Sequence, residues 1–342
     1  MNINRREILN GMAGSTLALL PAGRLCAQDS NALLESAKRE GQVVIYSSYV
    51  STLTHGPIAK AFEAKYGIKV ETFQTRGPEM RERVRIEQMT GRMLGDIQHH
   101  AMTTTSIAAD KDDNIETNLK LASAARLKPE FAARVENRQV PIFTINYGFL
   151  VNSDQVKPGE EPRSWQDLLD PRWRGRILCD DPRATGGGRV MFHMTMDKFG
   201  RQFHERLAAQ KPVFSRDYGE AGRRLARGEF AIYIPLIFSQ FGPLRGLPVR
   251  AIIPEEGVTY TSYSVSILRG ARHPNAARLM TEFYLSDEAQ GIYANTGHGA
   301  VVNDLKVDLL PEMRPFAHLK PLIDEDFTRI ESYLALAKEI YK

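Results

Sequence analysis

Residues 43–73 read VVIYSSYVSTLTHGPIAKAFEAKYGIKVETF, and this stretch predicts a strand, a helix and a second strand. Val43–Tyr46 is a short apolar run of the kind found in buried parallel strands. Pro57–Tyr66 repeats its apolar side chains at helical spacing, and Ile68–Phe73 alternates as a strand does. A charged helix is predicted at Glu79–Thr90. The order strand, helix, strand, helix indicates a parallel sheet covered by helices.

The same alternation of strands and helices continues along the chain. Further strands are predicted at residues 96–97, 143–151, 176–179, 214–216, 230–235, 249–254 and 263–268. Further helices are predicted at residues 31–40, 165–169, 189–199, 220–227, 274–284, 287–294 and 325–340. We therefore expect an α/β protein with two lobes of similar size. Ligands in such folds bind at the carboxyl ends of the strands, beside the N-termini of helices.

The first 27 residues predict an export peptide of the twin-arginine type. Arg5 and Arg6 precede the apolar run Gly11–Ala22, which closes at a small-residue cleavage signal ending in Ala27. The protein is therefore expected in the periplasm, where ATP, NAD and nucleic acid are scarce. Two alternatives stay open, a buried N-terminal helix and a lipid anchor on Cys26.

The composition is typical of an ordinary globular protein. A length of 342 residues favours two domains or one large one. The net charge is +4, and half of it lies in the predicted export peptide, so no nucleic-acid partner is expected. Loss of Cys26 with that peptide leaves Cys179 alone, which excludes a disulfide within the chain. We expect a monomer.

Polar residues follow the first two predicted strands, at the expected ligand edge. Ser47, Ser48 and Tyr49 come directly after the first strand, where hydroxyls and amides can hold an anion without any charge. The alternative is that they cap the next helix. Arg76 and Gly77 occupy the corresponding place after the second strand, where a guanidinium can meet a carboxylate or phosphate. A solvated surface arginine is the alternative there.

A glycine-rich loop lies just ahead of the helix predicted at residues 189–199. Thr185, Gly186 and Gly187 in this loop are candidate ligand contacts, because their backbone N–H groups can face an oxyanion. Glycine allows the backbone to approach closely. No Gly-Lys-Ser/Thr follows, so the loop is not a phosphate loop of the nucleotide-hydrolase kind. The alternative is a flexible connection.

A histidine pair and a run of threonines follow the strand predicted at residues 96–97. The adjacent side chains of His99 and His100 point to opposite sides of an extended chain, so no metal site is expected. Thr103 and Thr104 are better candidates for a pocket wall.

Other aromatic and histidine residues are weaker candidates for the cleft. Tyr218 and Tyr263 belong to this group, with core packing as the alternative, and so does His298 in a glycine-flanked turn. No catalytic motif stands out: there is no Gly-x-Ser-x-Gly elbow, and Cys179 has no identifiable activating partner. The sequence therefore predicts neither an enzyme nor a cofactor.

Seven short segments share their order and spacing with a known family. They are residues 43–48, 61–70, 91–97, 164–175, 185–188, 225–229 and 273–277. Together they make the chain resemble periplasmic solute-binding proteins of ATP-driven importers. The resemblance is to the cluster containing ferric-ion-, phosphonate- and sugar-phosphate-binding proteins, and it covers nearly the whole mature chain.

The resemblance implies a two-lobed type II binding-protein fold, in which each lobe is a mixed sheet flanked by helices and the ligand lies in the interlobe cleft. It implies that the chain crosses between the lobes near Ile142–Gly148 and Val258–Ser264, and that ligand binding closes the hinge. The expected division is 1–27 for the export peptide, 28–143 and 264–305 for lobe 1, 144–263 for lobe 2, and 306–342 for a C-terminal helical segment packing on the lobes.

The ligand residues of the family are only partly present. Ferric-binding relatives carry adjacent tyrosines shortly after a Gly-Glu-hydrophobic segment, and the corresponding place here is about Phe238-Ser239. Ser239 is the candidate contact at that place. The resemblance therefore implies a small organic anion (a phosphonate, phosphate ester or carboxylate) that is passed to the membrane permease of an ABC importer. Ferric iron with a synergistic anion, and a sensor presenting ligand to a histidine kinase, are the alternatives.

Overall fold

The computed structural model describes residues 22–49, 51, 53–101, 114–116, 119–136, 138–324, 326 and 328–342. For residues 22–30 and 133–136 it describes the backbone alone. Most of the predicted export peptide lies outside the described residues, and so do the candidate contacts Thr103 and Thr104.

One mixed sheet runs through the described part of the chain. Its strands are β1 Gln42–Ser47, β2 Lys69–Gln74, β3 Ile97–Ala101, β4 Val140–Asn152, β5 Ile177–Asp180, β6 Val213–Ser215, β7 Ile232–Ile237, β8 Val249–Ile252 and β9 Thr259–Ile267. Their order is β2-β1-β3-β9-β4-β7-β5-β6, and β8 pairs with β4. At one end β1 is parallel to β2 and β3, and at the other end β5 is parallel to β6 and β7.

Helices cover the sheet. They are α1 Ala22–Glu40, α2 His55–Tyr66, α3 Gly77–Met89, α4 Pro129–Glu136, α5 Gly187–Ala209, α6 Tyr218–Ala226, α7 Pro274–Tyr284, α8 Asp287–Asn295, α9 Arg314–Ala317 and α10 Ile330–Ile340. None of the helices within the described ranges is both long enough and apolar enough to cross a membrane.

The elements predicted between residues 43 and 90 are confirmed, with ends that differ by one or two residues. The helix predicted to end at Phe199 is longer. Gly200 interrupts its backbone with φ +77°, but the chain resumes the helix as far as Ala209. The buried side chains of Phe203 and Leu207 explain the continuation, since packing of an apolar face stabilises a helix beyond a local break.

Strand β4 has different partners along its length. Its first part pairs with β9 from Val140 to Tyr147, and its last part pairs with β7 and β8. Phe143 belongs to a hydrophobic core beside β1 and β3, whereas Phe149 belongs to a second core around Trp165. The lobe boundaries predicted at 143/144 and 263/264 fall within β4 and β9, and that division stays a prediction.

The C-terminal helix α10 packs against α5. Ala337 and Tyr341 form a small apolar cluster with Phe192 on α5. The backbone carbonyl of Tyr341 also accepts a hydrogen bond of 2.8 Å from Arg183, in the loop ahead of α5. The end of the chain therefore helps to hold the glycine-rich loop in place.

Replacing Gly148 in β4 by alanine tests the packing between the strand and its neighbours. A Cβ atom there would press on the Phe238 ring and lie 2.5 Å from the carbonyl oxygen of Ile252. We expect Gly148→Ala to lower the free energy of unfolding by about 1–3 kcal/mol, the usual cost of overpacking. Urea denaturation followed by circular dichroism measures this. The control is Gly56→Ala in α2, where nothing lies within 4 Å, and equal stability of the two variants would contradict the expectation.

Candidate functional site

The residues predicted to follow β1 and β2 lie at one edge of the sheet. Ser47 is in register with Gln74 of β2 and with His99 of β3. The Thr75 N–H donates to the Ser47 carbonyl at 3.0 Å, and the Ser48 N–H donates to the His99 carbonyl at 2.9 Å. Arg76 and Gly77 therefore start α3 beside the end of β1, with the Arg76 side chain exposed.

The side chains at this edge are bonded mainly to one another. Ser47 is fully buried, and its hydroxyl lies 2.6 Å from the Tyr49 carbonyl and 2.8 Å from Nδ1 of His99. The Tyr49 hydroxyl lies 3.1 Å from Nε2 of His298. The Tyr49 ring packs on Tyr263, with ring centroids 4.9 Å apart. The structure thus brings Tyr263 and His298 to the predicted β1 edge.

Tyr49, Tyr263 and His298 surround one apolar ring. Phe143 of β4 stacks on Tyr263 with centroids 5.0 Å apart and an angle of 9° between the rings. Phe143 also packs on Tyr49 at 5.7 Å and meets the edge of His298 at 4.9 Å. One face of the Tyr263 ring is therefore packed against Phe143, as the alternative of core packing predicted.

Histidines near this edge carry no charge at neutral pH. Burial lowers the pKa of His55 and His100 to about 4 and that of His298 to about 3, and it holds the pKa of His99 well below its usual range. His55, at the start of α2, lies with its Nε2 3.2 Å from Nδ1 of His99. Within the residues that the structure describes, no three His, Cys, Asp or Glu side chains are arranged to hold a metal ion.

Two N–H groups of the glycine-rich loop, those of Gly187 and Gly188, are paired inside the protein. The Gly187 N–H donates to the Tyr218 hydroxyl at 2.9 Å, and the Gly188 N–H donates to Oδ2 of Asp180 at 2.6 Å. The Tyr218 hydroxyl in turn donates to the same carboxylate oxygen at 3.1 Å. The sequence predicted open N–H groups at Thr185, Gly186 and Gly187. The structure pairs that of Gly187 with Tyr218, whose hydroxyl is held by Asp180 at the end of β5.

Burial affects the protonation of both Tyr218 and Asp180. Burial, reinforced by the negative charge of Asp180, raises the pKa of Tyr218 to about 12, so the phenol keeps its proton. Burial also raises the pKa of Asp180, while the hydrogen bonds from Gly188 and Tyr218 oppose that rise. Because both partners of Oδ2 are donors, the oxygen they reach is an acceptor without a proton.

A cavity of about 750 Å³ opens beside Tyr218. Its lining includes two candidate contacts, Tyr218 and Ser239, and two arginines that the sequence did not single out, Arg216 and Arg223. Leu53, from the segment between β1 and α2, also lines it. The other lining residues are Asp217, Gly219, Gln240, Pro243, Leu244 and Leu247. The other candidate contacts that the structure describes do not line this cavity. They are the residues at the β1 edge, Arg76 and the glycine-rich loop.

The two arginines of the cavity differ in their partners. Arg223 forms an ion pair with Glu220, with 3.0 Å between Nε and Oε2. Arg216 is exposed and makes no hydrogen bond or ion pair within the described part of the chain. It directly follows β6, whereas Arg76 is the second residue after β2. The sequence prediction missed Arg216 because it assigned this residue to a strand at 214–216, whereas β6 ends at Ser215.

Phe238 and Ser239 stand where ferric-binding relatives are expected to carry paired tyrosines, and the two residues have different surroundings. Phe238 is fully buried and stacks on Phe316 with centroids 4.7 Å apart. Ser239 lines the cavity. This segment presents one hydroxyl group and no phenol.

Comparison with known proteins places the chain in a family. The family model for bacterial extracellular solute-binding proteins matches residues 97–321. An uncharacterized protein of Haemophilus influenzae is 26% identical over 288 residues, which are 80% of this chain and 79% of that protein.

Solved structures of the same fold include two binding proteins. Ferric iron-binding protein A of Mannheimia haemolytica, in an open conformation, aligns with a TM-score of 0.72 at 17% identity, over 88% of this chain and 98% of that one. The periplasmic binding protein AfuA of Actinobacillus pleuropneumoniae, with exogenous fructose-6-phosphate bound, aligns with a TM-score of 0.61 at 22% identity, over 88% and 96%. The expected two-lobed type II periplasmic binding protein fold is confirmed.

Acid should destabilise the protein through its neutral histidines. The folded-state pKa of His55 is about 4 and that of His298 about 3, against about 6.5 in the unfolded chain. Between these values the unfolded chain binds more protons. The free energy of unfolding therefore falls as the pH falls below about 6.5, by up to about 1.4 kcal/mol per pH unit for each histidine.

The variant His55→Gln tests this account. Urea denaturation at several pH values should show a shallower loss of stability between about pH 6.5 and pH 5 in the variant than in the wild type. Above about pH 7.5 both histidines are neutral in both states, so the two pH slopes should agree there. Identical slopes in the acidic range would rule out His55 as a contributor.

Proposed function

The chain belongs to the family of bacterial extracellular solute-binding proteins, and we propose that it is the periplasmic component of an ABC importer for a small organic anion. The observation that carries this proposal is Arg216, an arginine without an ion pair in the described structure, which faces a cavity of about 750 Å³. A phosphonate, phosphate ester or carboxylate matches a guanidinium in charge and in geometry.

The distribution of charge supports an arginine-bound anion. Histidines at the β1 edge are neutral, so they cannot supply the positive charge that an anion needs. The cavity has Arg216 and Arg223 on its lining, and of these two arginines only Arg223 forms an ion pair, with Glu220. Asp217 also lines the cavity, but its carboxylate accepts the Glu220 N–H as the cap of α6. Within the described part of the chain no carboxylate bonds to the Arg216 guanidinium, which can therefore donate to a negative group of the ligand.

Binding is proposed to act by closing a hinge. β4 and β9 are paired with each other and each continues beyond that pairing to other strands, β9 to β3 and β4 to β7 and β8. Leu53, in predicted lobe 1, and Tyr218, in predicted lobe 2, both line the cavity. A ligand that contacts both sides gains interactions that exist only in the closed state, and this shifts the population towards closure.

The remaining candidate contacts would complete the site on closure. In this proposal Ser48, Tyr49, Arg76 and the threonines 103 and 104 approach the ligand from the β1 edge, while Tyr218 and Ser239 contact it in the cavity. The closed receptor is then recognised by a membrane permease. The protein is proposed to be exported with cleavage near Ala27, to act as a monomer, and to release its ligand unchanged.

One structural relative supports the choice of ligand class. The structure of AfuA has fructose-6-phosphate bound, which is a phosphate ester. The same fold can therefore hold an organic phosphate.

A ligand screen by thermal denaturation tests the proposal. A phosphorylated or carboxylated compound at a hundredfold excess over its Kd should stabilise the protein by about 2.7 kcal/mol and so raise its Tm. Arg216→Gln should weaken that binding roughly tenfold to a hundredfold, because it removes a charge-assisted hydrogen bond. Arg174→Gln, at another exposed arginine of the chain, is the matched control. Stabilisation by neutral sugars alone would defeat the proposal.

Ferric iron held with a synergistic anion is the second candidate, because ferric iron-binding protein A shares the fold. The described cavity offers Tyr218 as its phenol, and the raised pKa of about 12 keeps that phenol protonated. We therefore expect no phenolate-to-iron absorption band when ferric citrate is added to the protein. A visible band, abolished by Tyr218→Phe, would favour iron over a free anion.

A further inference from the structure

A carboxylate of the protein already occupies the N-terminus of α5. Oδ2 of Asp180 accepts the Gly188 N–H at 2.6 Å and the Tyr218 hydroxyl at 3.1 Å. Tyr218 in turn accepts the Gly187 N–H at 2.9 Å. Asp180 is only 3% exposed, so this arrangement is closed to solvent. The amides of Gly187 and Gly188 are therefore already bonded to groups of the protein and are not available to an external oxyanion.

The loop is also packed too closely to admit a second anion. A Cβ atom on Gly186 would lie 2.7 Å from the Tyr218 hydroxyl, and one on Gly187 would lie 2.8 Å from the Tyr147 ring. A Cβ atom on Gly188 would lie 2.7 Å from the backbone carbonyl carbon of Asp180. These glycines allow the protein's own groups to approach the backbone. An oxyanion could enter only by displacing Asp180.

The charge of Asp180 opposes such an entry. The N-terminus of a helix carries the equivalent of about half a positive charge. One full carboxylate charge more than balances it, so a second anion at the same place would meet a net negative field. Arg183 is the nearby cation, but it is held by Asp181 at 2.8 Å.

We propose that Asp180 is a specificity-determining residue, which seals the amides of the glycine-rich loop and directs the negative group of the ligand to Arg216. This rests on the proposed function for the identity of the cavity as the ligand site. Tyr218 links the two places, because it bonds to Asp180 and lines the cavity.

Tyr218 also indicates a second group on the ligand. Its proton is donated to Asp180, and one lone pair of its oxygen is taken by Gly187. The remaining lone pair can only accept a hydrogen bond. A ligand group that reaches this oxygen from the cavity would therefore be a donor such as a hydroxyl or ammonium.

Selective isotope labelling gives an NMR spectrum that contains only the amide signals of Gly187 and Gly188. Gly187 and Gly188 are the only glycines in the sequence that directly follow another glycine. In protein labelled with glycine that carries both ¹³C′ and ¹⁵N, a carbonyl-to-amide correlation spectrum therefore shows these two N–H groups alone. Inorganic phosphate is the probe, so the test does not require the natural ligand.

Phosphate should leave both signals of the wild type unmoved. In Asp180→Ala, which removes the internal carboxylate, phosphate should shift both signals and bind at least tenfold more tightly than to the wild type. Asp180→Ser also removes the carboxylate and shortens the side chain, and it should change in the same direction if Asp180→Ala does not fold. Asp154→Asn, at an exposed carboxylate, matches the charge change and should behave as the wild type.

Two results would overturn the inference. One is a phosphate-dependent shift of the Gly187 and Gly188 signals in the wild type, which would show that the loop accepts an external anion. The other is the absence of any shift in both Asp180 variants, which would show that the carboxylate is not what excludes phosphate. The proposed function fails by a different result, the absence of stabilisation by every organic anion in the thermal screen.

Discussion

The register of β4 is the constraint on which the rest of the structure depends. One continuous strand pairs with β9 in its first part and with β7 and β8 in its last part. It therefore places Phe143 in the core beside the β1 edge and Phe149 in the core beside β5. Because side chains alternate along a strand, a slip of one residue would turn both rings out of their cores. The relative positions of the β1 edge, the glycine-rich loop and the cavity all follow from this strand.

Burial divides the candidate site into an uncharged side and a cationic side. At the β1 edge it keeps the histidines neutral and ties Ser47 and Tyr49 to them. Beside α6, Arg216 is exposed. The buried carboxylate of Asp180 bonds to the Gly188 amide of the loop. In the proposed function, the positive charge for an anionic solute comes from arginine. The glycine-rich loop has its negative partner, Asp180, within the protein.

Local patterns predicted most of the elements. The apolar run of β1 and the helical spacing of α2 depend on neighbours in the sequence, so periodicity sufficed for both. The partners of the loop could not be predicted in this way. Gly187 pairs with Tyr218, 31 residues away, and only the fold brings them together. Arg216 was missed for a smaller reason. β6 ends at Ser215, and a one-residue error in that boundary placed Arg216 within the predicted strand rather than directly after it.

Native mass spectrometry of the protein purified from its own periplasm tests the central claim most directly, since it weighs whatever is bound without assuming its identity. The account predicts a small acid bearing a phosphate, phosphonate or carboxylate, which is lost when Arg216 is replaced by glutamine. A neutral sugar or a ferric ion in its place, or an acid retained undiminished by that variant, would contradict it.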